Sequence, residues 1–309
     1  MSPAEVRSIA FFGLGNMGLP MATNLAKAGY TVRGYDPVPA AIEAAGAAGL
    51  EVAATPAGAA VGADAVITML PSGRHVLEAY EQGAGIIGTV GADTLVIDSS
   101  TIDIADARAA HELAAAAGLR SLDAPVSGGV VGATAGSLTF MVGGAQDALE
   151  VAGPLLAAMG KRTVHCGEPG AGQAAKVCNN MILAASMVAV AEAFVLADSL
   201  GLSDQALFDV VSTSSGQCWA VSTNCPVPGP VPTSPANRDF QGGFATALMV
   251  KDLRLAASAA AAGSVDIAIG RTALGIYEDL MTTMPDRDFS AVIEAIRQRS
   301  GSSQGTASS

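Results

Sequence analysis

Short apolar runs alternate with helix-patterned stretches over the first half of the chain, and the alternation stops near Gly167. Ile9-Ala10-Phe11-Phe12 is too short for a helix and reads as a buried strand. Met17, Met21 and Leu25 then recur every four residues, giving a helix through Lys27 one face toward a sheet. Pro20 falls in its first turn, where the missing N–H does little harm, and Gly29 ends it. A second strand follows from Thr31 to Tyr35. Later strands are expected at 65–69, 94–97, 120–123, 138–142 and 163–165, with helical patterns between them, notably Ile104 to Ala117. This order predicts an α/β domain over residues 1–166, a Rossmann-type doubly wound sheet.

Beyond Gly167 the pattern is helical. A helix from near Gly172 to Leu200 spans roughly 40 Å at about 1.5 Å per residue. Others are expected at 203–213, 245–262, 268–283 and 289–298. Together they predict an all-α domain over 167–299, entered through the long inter-domain helix. Residues 300–309, rich in serine, read as a disordered end or an appended remnant. The Pro- and Gly-rich segment from Gly216 to Gly243 carries the only tryptophan, Trp219; it is either a functional or mobile loop or irregular packing.

Of the 309 residues, half are hydrophobic and 14% are charged, so there is material for two substantial cores. A net charge of −12 without a basic patch argues against nucleic acid and anionic membranes as partners. The uncharged run from Ala124 to Gln146 is long enough to span a bilayer, but its glycines and proline make it a loop-and-strand segment. Met1 to Arg7 includes Glu5 and Arg7 and has no apolar signal-peptide core, so a cytoplasmic location is expected. Cys166, Cys178, Cys218 and Cys225 show neither C-x-x-C spacing nor a histidine at zinc spacing. They read as buried small hydrophobes in a reducing compartment, and no metal site is expected.

Chemistry enters with Gly13-Leu14-Gly15-Asn16-Met17-Gly18, placed between the first strand and its helix, and with Asp36 at the end of the second strand. Strand, G-x-G-x-x-G, helix, strand and acidic residue form the dinucleotide fingerprint in its required context. Gly13 permits the tight turn, Gly15 admits the pyrophosphate and Gly18 lets helix and strand pack closely. The helix N-terminus offers N–H groups to the phosphates. Asp36 would accept a ribose 2′-hydroxyl and repel a 2′-phosphate; Pro37 follows it, and Arg33 lies inside the strand. NAD is favoured over NADP. In open sheets ligands bind past the carboxyl ends of the strands, which brings in Leu70-Pro71, Ser99-Ser100-Thr101 and Ala124 to Gly129. Ser99 to Thr101 serve equally well as an N-cap cluster for the next helix.

Lys176 and Asn180 lie four residues apart in Gly167-x-x-Gly170-x-Gly172-x-x-x-Lys176-x-x-Asn179-Asn180, so both emerge on one helix face. Apolar residues surround them on every side, and such a helix is normally buried. Burial disfavours the ammonium form and turns a lysine toward use as a base. Snorkelling or a helix-end ion pair is the competing reading. A phosphate-cradling P-loop is excluded because Gly160-Lys161 is followed by Arg162 and Leu155 stands where the loop's first glycine would be. The three histidines accompany no G-x-S-x-G.

These residues resemble the β-hydroxyacid dehydrogenases, and within them the 3-hydroxyisobutyrate branch. The resemblance is carried by Gly13 to Gly18, Asp98-Ser-Ser-Thr-Ile-Asp103, Asp123-Ala-Pro-Val-Ser-Gly-Gly129, Leu138 to Gly144, Gly172 to Asn180, Pro226-Val-Pro-Gly229, Gln241 to Phe244 and Lys251-Asp252-Leu253. It implies NAD-dependent oxidation of 3-hydroxyisobutyrate to its semialdehyde, a step of valine catabolism, or a dehydrogenase or reductase acting on another short 3-hydroxy acid, serine or the tartronate semialdehyde/glycerate pair. Lys176 would be the acid/base and Asn180 would orient the substrate. Ser127, Gly128 and Gly129 would hold its carboxylate, with Asn179, Trp219, Phe244 and Asp252 as further substrate contacts. Leu70, Pro71, His75, Thr101 and Lys251 match cofactor contacts. A homodimer or homotetramer is implied as well. One departure stands out: Val130 to Ser137 has no basic residue where some relatives carry an arginine. A phosphorylated substrate is disfavoured because no Arg or Lys cluster accompanies these motifs. The competing class is an NAD-binding module without catalysis, which would leave Lys176 and Asn180 without purpose.

Overall fold

The computed structural model describes residues 6–81 and 85–304. Residues 1–5, at the amino end expected to lack a signal, and residues 305–309 of the expected tail lie outside the described residues. Two compact units divide within one helix, between Lys176 and Val177.

The first unit alternates strands and helices: β1 (Ser8–Phe12), α1 (Gly18–Lys27), β2 (Thr31–Tyr35), α2 (Pro39–Ala47), β3 (Glu51–Val52), α3 (Pro56–Ala60), β4 (Ala65–Thr68), α4 (Gly73–Tyr80), β5 (Leu95–Asp98), α5 (Ile104–Ala116) and β6 (Arg120–Asp123). It continues with β7 (Val126–Ser127), α6 (Gly129–Thr134), β8 (Leu138–Gly144), α7 (Gln146–Met159), β9 (Gly160–Gly167) and the start of α8 (Ala171–Ser199). The sheet order is β3-β2-β1-β4-β5-β6-β8-β7, with β9 paired to β8. Every pair from β3 to β6 is parallel. Side chains alternate across it: Ile9, Phe11, Ile67 and Ile97 enter one core with α1 and α7 residues, while Ala10, Phe12, Val66 and Val96 enter the other with α4 and α5 residues.

The sheet is not parallel throughout. β8 runs antiparallel to both β6 and β7. β6 and β7 run in the same direction and pair with successive parts of β8, interrupted only by Ala124 and Pro125, and the chain turns back after Ser127 to run against both. The segment expected as loop and strand also contains a helix, α6, which starts at Gly128 and Gly129, both at positive φ.

The second unit comprises the rest of α8, α9 (Asp204–Val211), α10 (Trp219–Ser222), a 3-10 turn at Pro235–Arg238, α11 (Thr246–Ala262), α12 (Ala268–Met281), a second 3-10 turn at Phe289–Ala291, and α13 (Val292–Gln304). Its core gathers Met187, Ala191 and Phe194 of α8 with Met249 and Leu253 of α11, Tyr277 of α12 and Phe289. α8 is long and apolar enough by length and composition to cross a membrane. It is not buried all round, as its composition led one to expect: Ile182 is 63% and Leu196 60% exposed. α13 continues to Gln304, into the segment expected to be disordered, and Ser300 Oγ donates to the Ile296 carbonyl one turn back at 2.9 Å.

Candidate active site

Strand register sets the floor of the site. Tyr35 of β2, Phe12 of β1, Thr68 of β4, Asp98 of β5 and Asp123 of β6 occupy one row across the sheet. The ladder runs one residue further, because Gly13, Met69, Ser99 and Ala124 each donate an N–H to the neighbouring strand's last carbonyl at 2.7–3.0 Å. Asp36, Leu70, Pro71, Thr101 and the Ser127 turn therefore leave the sheet from a common rim, where open α/β sheets take their ligands.

The glycine loop divides its tasks as the fingerprint requires. Gly13 has φ +92°, and a Cβ there would lie 2.2 Å from the Met69 carbonyl oxygen. A Cβ on Gly18 would stand 1.8 Å from the carbonyl oxygen of Gly13. At Gly15 a Cβ would meet nothing within 4 Å, so its space is open to a phosphate that must approach the backbone. Asn16 is exposed and Met17 half-buried. Leu14, fully buried, donates its N–H to Asp36 Oδ2 at 2.8 Å, and Val38 donates to Oδ1 at 2.8 Å. A carboxylate accepts about four hydrogen bonds, so Asp36 keeps capacity for a ribose hydroxyl. Arg33 is committed elsewhere, to Glu51 at 3.0 Å and to the carbonyls of Gly58 and Val61. These residues fit NAD. On α4, His75 Nδ1 is 2.7 Å from Ser72 Oγ.

Two buried carboxylates organise the far side of the rim. Asp98 Oδ1 accepts from Thr68 Oγ1 at 2.8 Å and from the Ser100 N–H at 3.1 Å, while Oδ2 has no hydrogen-bond partner among the described residues. Burial outweighs those bonds and raises the Asp98 pKa. Ser100 Oγ accepts the Leu70 N–H at 2.8 Å, fixing the Leu70-Pro71 turn. Of the two readings of Ser99 to Thr101, the N-cap one does not hold: Asp103 caps α5 by accepting from the Ala105 N–H. Asp123 instead serves α8, accepting from the N–H groups of Gly170 at 2.8 Å and Gln173 at 3.0 Å. His111 Nε2 lies 3.1 Å from the same carboxylate. Gly143 and Gly172 make room, since a Cβ on either would fall within 2.8 Å of Asp123.

Lys176 follows on α8. It is 7% exposed, and its Nζ donates to the carbonyl of Val126 at 2.8 Å. That carbonyl immediately precedes Ser127, Gly128 and Gly129, so the lysine is tied to the base of the turn expected to hold a carboxylate. Snorkelling is thereby ruled out.

In the second unit, Asn180 Nδ2 donates to Asp252 Oδ2 at 2.5 Å, and Asn179 Nδ2 donates to Asn180 Oδ1 at 2.9 Å. Lys251 Nζ lies 3.3 Å from Asp252 Oδ1. Asp252 is buried. Phe244 is held by its N–H to Asp288 Oδ2 at 2.7 Å and by an edge contact with Phe289 at 6.0 Å. Trp219 opens α10 and is 48% exposed.

Asn180, Asn179, Lys251 and Asp252 thus form one polar cluster, which Trp219 and Phe244 do not join by a hydrogen bond among the described residues. The cysteines depart from expectation: Cys225 alone is buried, while Cys178 is exposed. No group of metal-binding side chains occurs among the described residues. Asp98, Asp123, Gln173 and Asp288 are organising residues that motif reading passed over. The first three lie inside recognised segments, but each also has a partner tens of residues away.

Residues 8–167 match the family model for the NAD-binding domain of 6-phosphogluconate dehydrogenase. Residues 170–296 match the model for the NAD-binding domain of NADP-dependent 3-hydroxyisobutyrate dehydrogenase. A Mycobacterium tuberculosis protein named "probable 3-hydroxyisobutyrate dehydrogenase" is 54% identical over 94% of this chain and 98% of its own. A solved structure of the Mycobacterium tuberculosis 3-hydroxyisobutyrate dehydrogenase with L-serine superposes with a TM-score of 0.90 at 54% identity, covering 94% of this chain and 99% of the other. The NAD-dependent L-serine dehydrogenase of Pseudomonas aeruginosa is 47% identical over 93% of this chain and 97% of its own.

Proposed function

The chain belongs to the 3-hydroxyisobutyrate dehydrogenase branch of the β-hydroxyacid dehydrogenases, and we propose that its substrate is 3-hydroxyisobutyrate, oxidised to 2-methyl-3-oxopropanoate. That it is an NAD-dependent hydroxyacid dehydrogenase follows from the family; the acid and the residue roles are our reading. The observation that carries it is Lys176, buried and held on the Val126 carbonyl beside the Ser127-Gly128-Gly129 turn.

When bound, NAD accepts a hydride at its nicotinamide ring. Ser127 Oγ and the N–H groups of Gly128 and Gly129 hold the substrate carboxylate. Val126 takes one hydrogen of Lys176 Nζ and so orients the nitrogen. In its neutral form Lys176 accepts the hydroxyl proton as the hydride departs from carbon; in the reverse direction it returns that proton to the carbonyl oxygen. Asn180, one turn further along α8, orients the reacting oxygen, and the bond to Asp252 sets which end of its amide faces away from that carboxylate.

L-Serine is the second reading, favoured by the Pseudomonas relative's name and by the L-serine in the mycobacterial structure. Serine carries an ammonium where 3-hydroxyisobutyrate carries a methyl, and an ammonium calls for a carboxylate. Asp252, the carboxylate assigned to the substrate, is already bonded to Asn180 and paired with Lys251. That favours the methyl-bearing acid.

The test is a kcat/KM panel with resolved 3-hydroxyisobutyrate enantiomers, L-serine and glycerate, each with NAD and NADP. One 3-hydroxyisobutyrate enantiomer with NAD should lead; a lead for L-serine replaces the substrate assignment. Lys176→Ala should lose about 10²–10⁴ in kcat, the usual contribution of a positioned acid/base, and still bind NAD. Turnover near wild type in that variant removes Lys176 from the mechanism.

A further inference from the structure

Gln173 is fully buried and occupies the first turn of α8. Its side-chain amide uses both ends. Nε2 donates to the Ser100 carbonyl at 2.7 Å, and Oε1 accepts the N–H of Ile102 at 3.2 Å. Those two backbone groups bracket Thr101, so one amide grips the rim segment on either side of an expected cofactor contact. The same Ser100 holds Leu70 through its hydroxyl. The main-chain N–H of Gln173 goes to Asp123 at 3.0 Å, which fixes the start of the helix.

Lys176 lies three residues further on, so it projects from the same side of α8 as Gln173. The lysine itself reaches Val126. Two rim segments, at Thr101 and at Val126, are therefore registered against one helical turn by two side chains. A buried amide seldom makes both kinds of bond to one short loop unless the loop's position matters, because an apolar side chain would fill the same space without needing partners.

We infer that Gln173 is a positioning residue for the dehydrogenase reaction: it sets Lys176 at a defined distance from the Thr101 rim, and with it the proton acceptor from the hydride acceptor. The inference rests on the reading of Lys176 as the acid/base. Reacting groups must sit within tenths of an ångström of the productive geometry, and a misplacement of about 1 Å costs about 10²-fold in rate. Loss of the clamp should therefore slow the chemical step without removing the surfaces that bind NAD.

The test compares Gln173→Leu, Gln173→Glu and Lys176→Ala with wild type, using whichever acid wild type turns over best. Single-turnover NADH formation reads the chemical step and calorimetry reads NAD affinity. Gln173→Leu should slow hydride transfer about 10–100-fold while the NAD Kd stays within about twofold. Gln173→Glu keeps the acceptor for Ile102 but, ionised, has no hydrogen for the Ser100 carbonyl. Its rate relative to wild type should rise as the pH is lowered, because the protonated acid regains the donor; the relative rate of Gln173→Leu should stay flat. Three results overturn the inference: an unchanged transfer rate in Gln173→Leu, a fall in NAD affinity that matches the fall in rate, or pH-independent behaviour of Gln173→Glu. Failure of the underlying reading shows separately, as wild-type transfer in Lys176→Ala.

Discussion

Asp36 accepts the main-chain N–H of Leu14 at 2.8 Å, so the carboxylate proposed to take the ribose also holds the glycine loop proposed to take the phosphates. One side chain joins the ends of β1 and β2. Replacing it affects both functions at once.

Asp36→Ala removes the ribose acceptor and leaves the buried Leu14 N–H without its partner. A hydrogen bond to a charged group contributes about 1.5–3 kcal/mol, so kcat/KM for NAD should fall at least about tenfold. Loss of the negative charge also stops repelling a 2′-phosphate. The loop damage is common to both cofactors, so the ratio of NAD to NADP kcat/KM should fall through the ribose and charge effects alone. Steady-state kinetics with both cofactors checks it, and an unchanged ratio refutes the role of Asp36.

Gly15 and Gly18 should separate binding from folding. Gly18→Ala forces a Cβ against the Gly13 carbonyl at 1.8 Å and should destabilise the chain by about 3 kcal/mol. Gly15→Ala meets no atom within 4 Å and should leave stability within about 0.5 kcal/mol of wild type. It should still weaken NAD at least about tenfold by occupying the phosphate's space. Urea denaturation and NAD titration of both variants measure this; equal stability losses would contradict it.

Asp98 makes stability depend on pH. Burial raises its pKa above the ordinary value of 3.8, against the pull of its bonds to Ser100 and Thr68. Between those two values the folded chain keeps a proton that the unfolded chain has released. Stability from this group is therefore lost as pH rises through that window. Asp98→Asn keeps the Oδ1 acceptor and removes the charge. Its urea midpoint relative to wild type should be higher at pH 7 than at pH 4, and a pH-independent difference would contradict the assignment.

Asp288 holds the segment from Gly216 to Phe244. It accepts from Asn224 Nδ2 at 3.0 Å, the Phe244 N–H at 2.7 Å, and both the N–H and hydroxyl of Ser290 at 3.0 and 2.6 Å. Asp288→Ala leaves these buried donors unpaired and should cost about 3 kcal/mol. Limited proteolysis should then cut within 216–243 faster than in wild type; unchanged cleavage would show that the segment is held by other means.

The amino-acid sequence by itself determined the parts whose causes are local. A strand, a G-x-G-x-x-G turn and a following helix depend on neighbouring residues, as do the β2 carboxylate and the one-turn spacing of Lys176 and Asn180. Those features, and the change from strands to helices near Gly167, were legible because backbone sterics and side-chain periodicity act over a few positions. Tertiary structure decided what depends on distant partners. β8 runs back along both β6 and β7 through pairings such as Leu122 with Gly144, which no local pattern announces. Asp103 rather than Ser99 to Thr101 caps α5, and Ser100 instead holds Leu70, 30 positions away. Asp252 is buried because Asn180, 72 positions away, supplies its hydrogen bond. Gln173 passed unnoticed within its motif because its partners, Ser100 and Ile102, lie 73 and 71 positions away, where no spacing rule reaches.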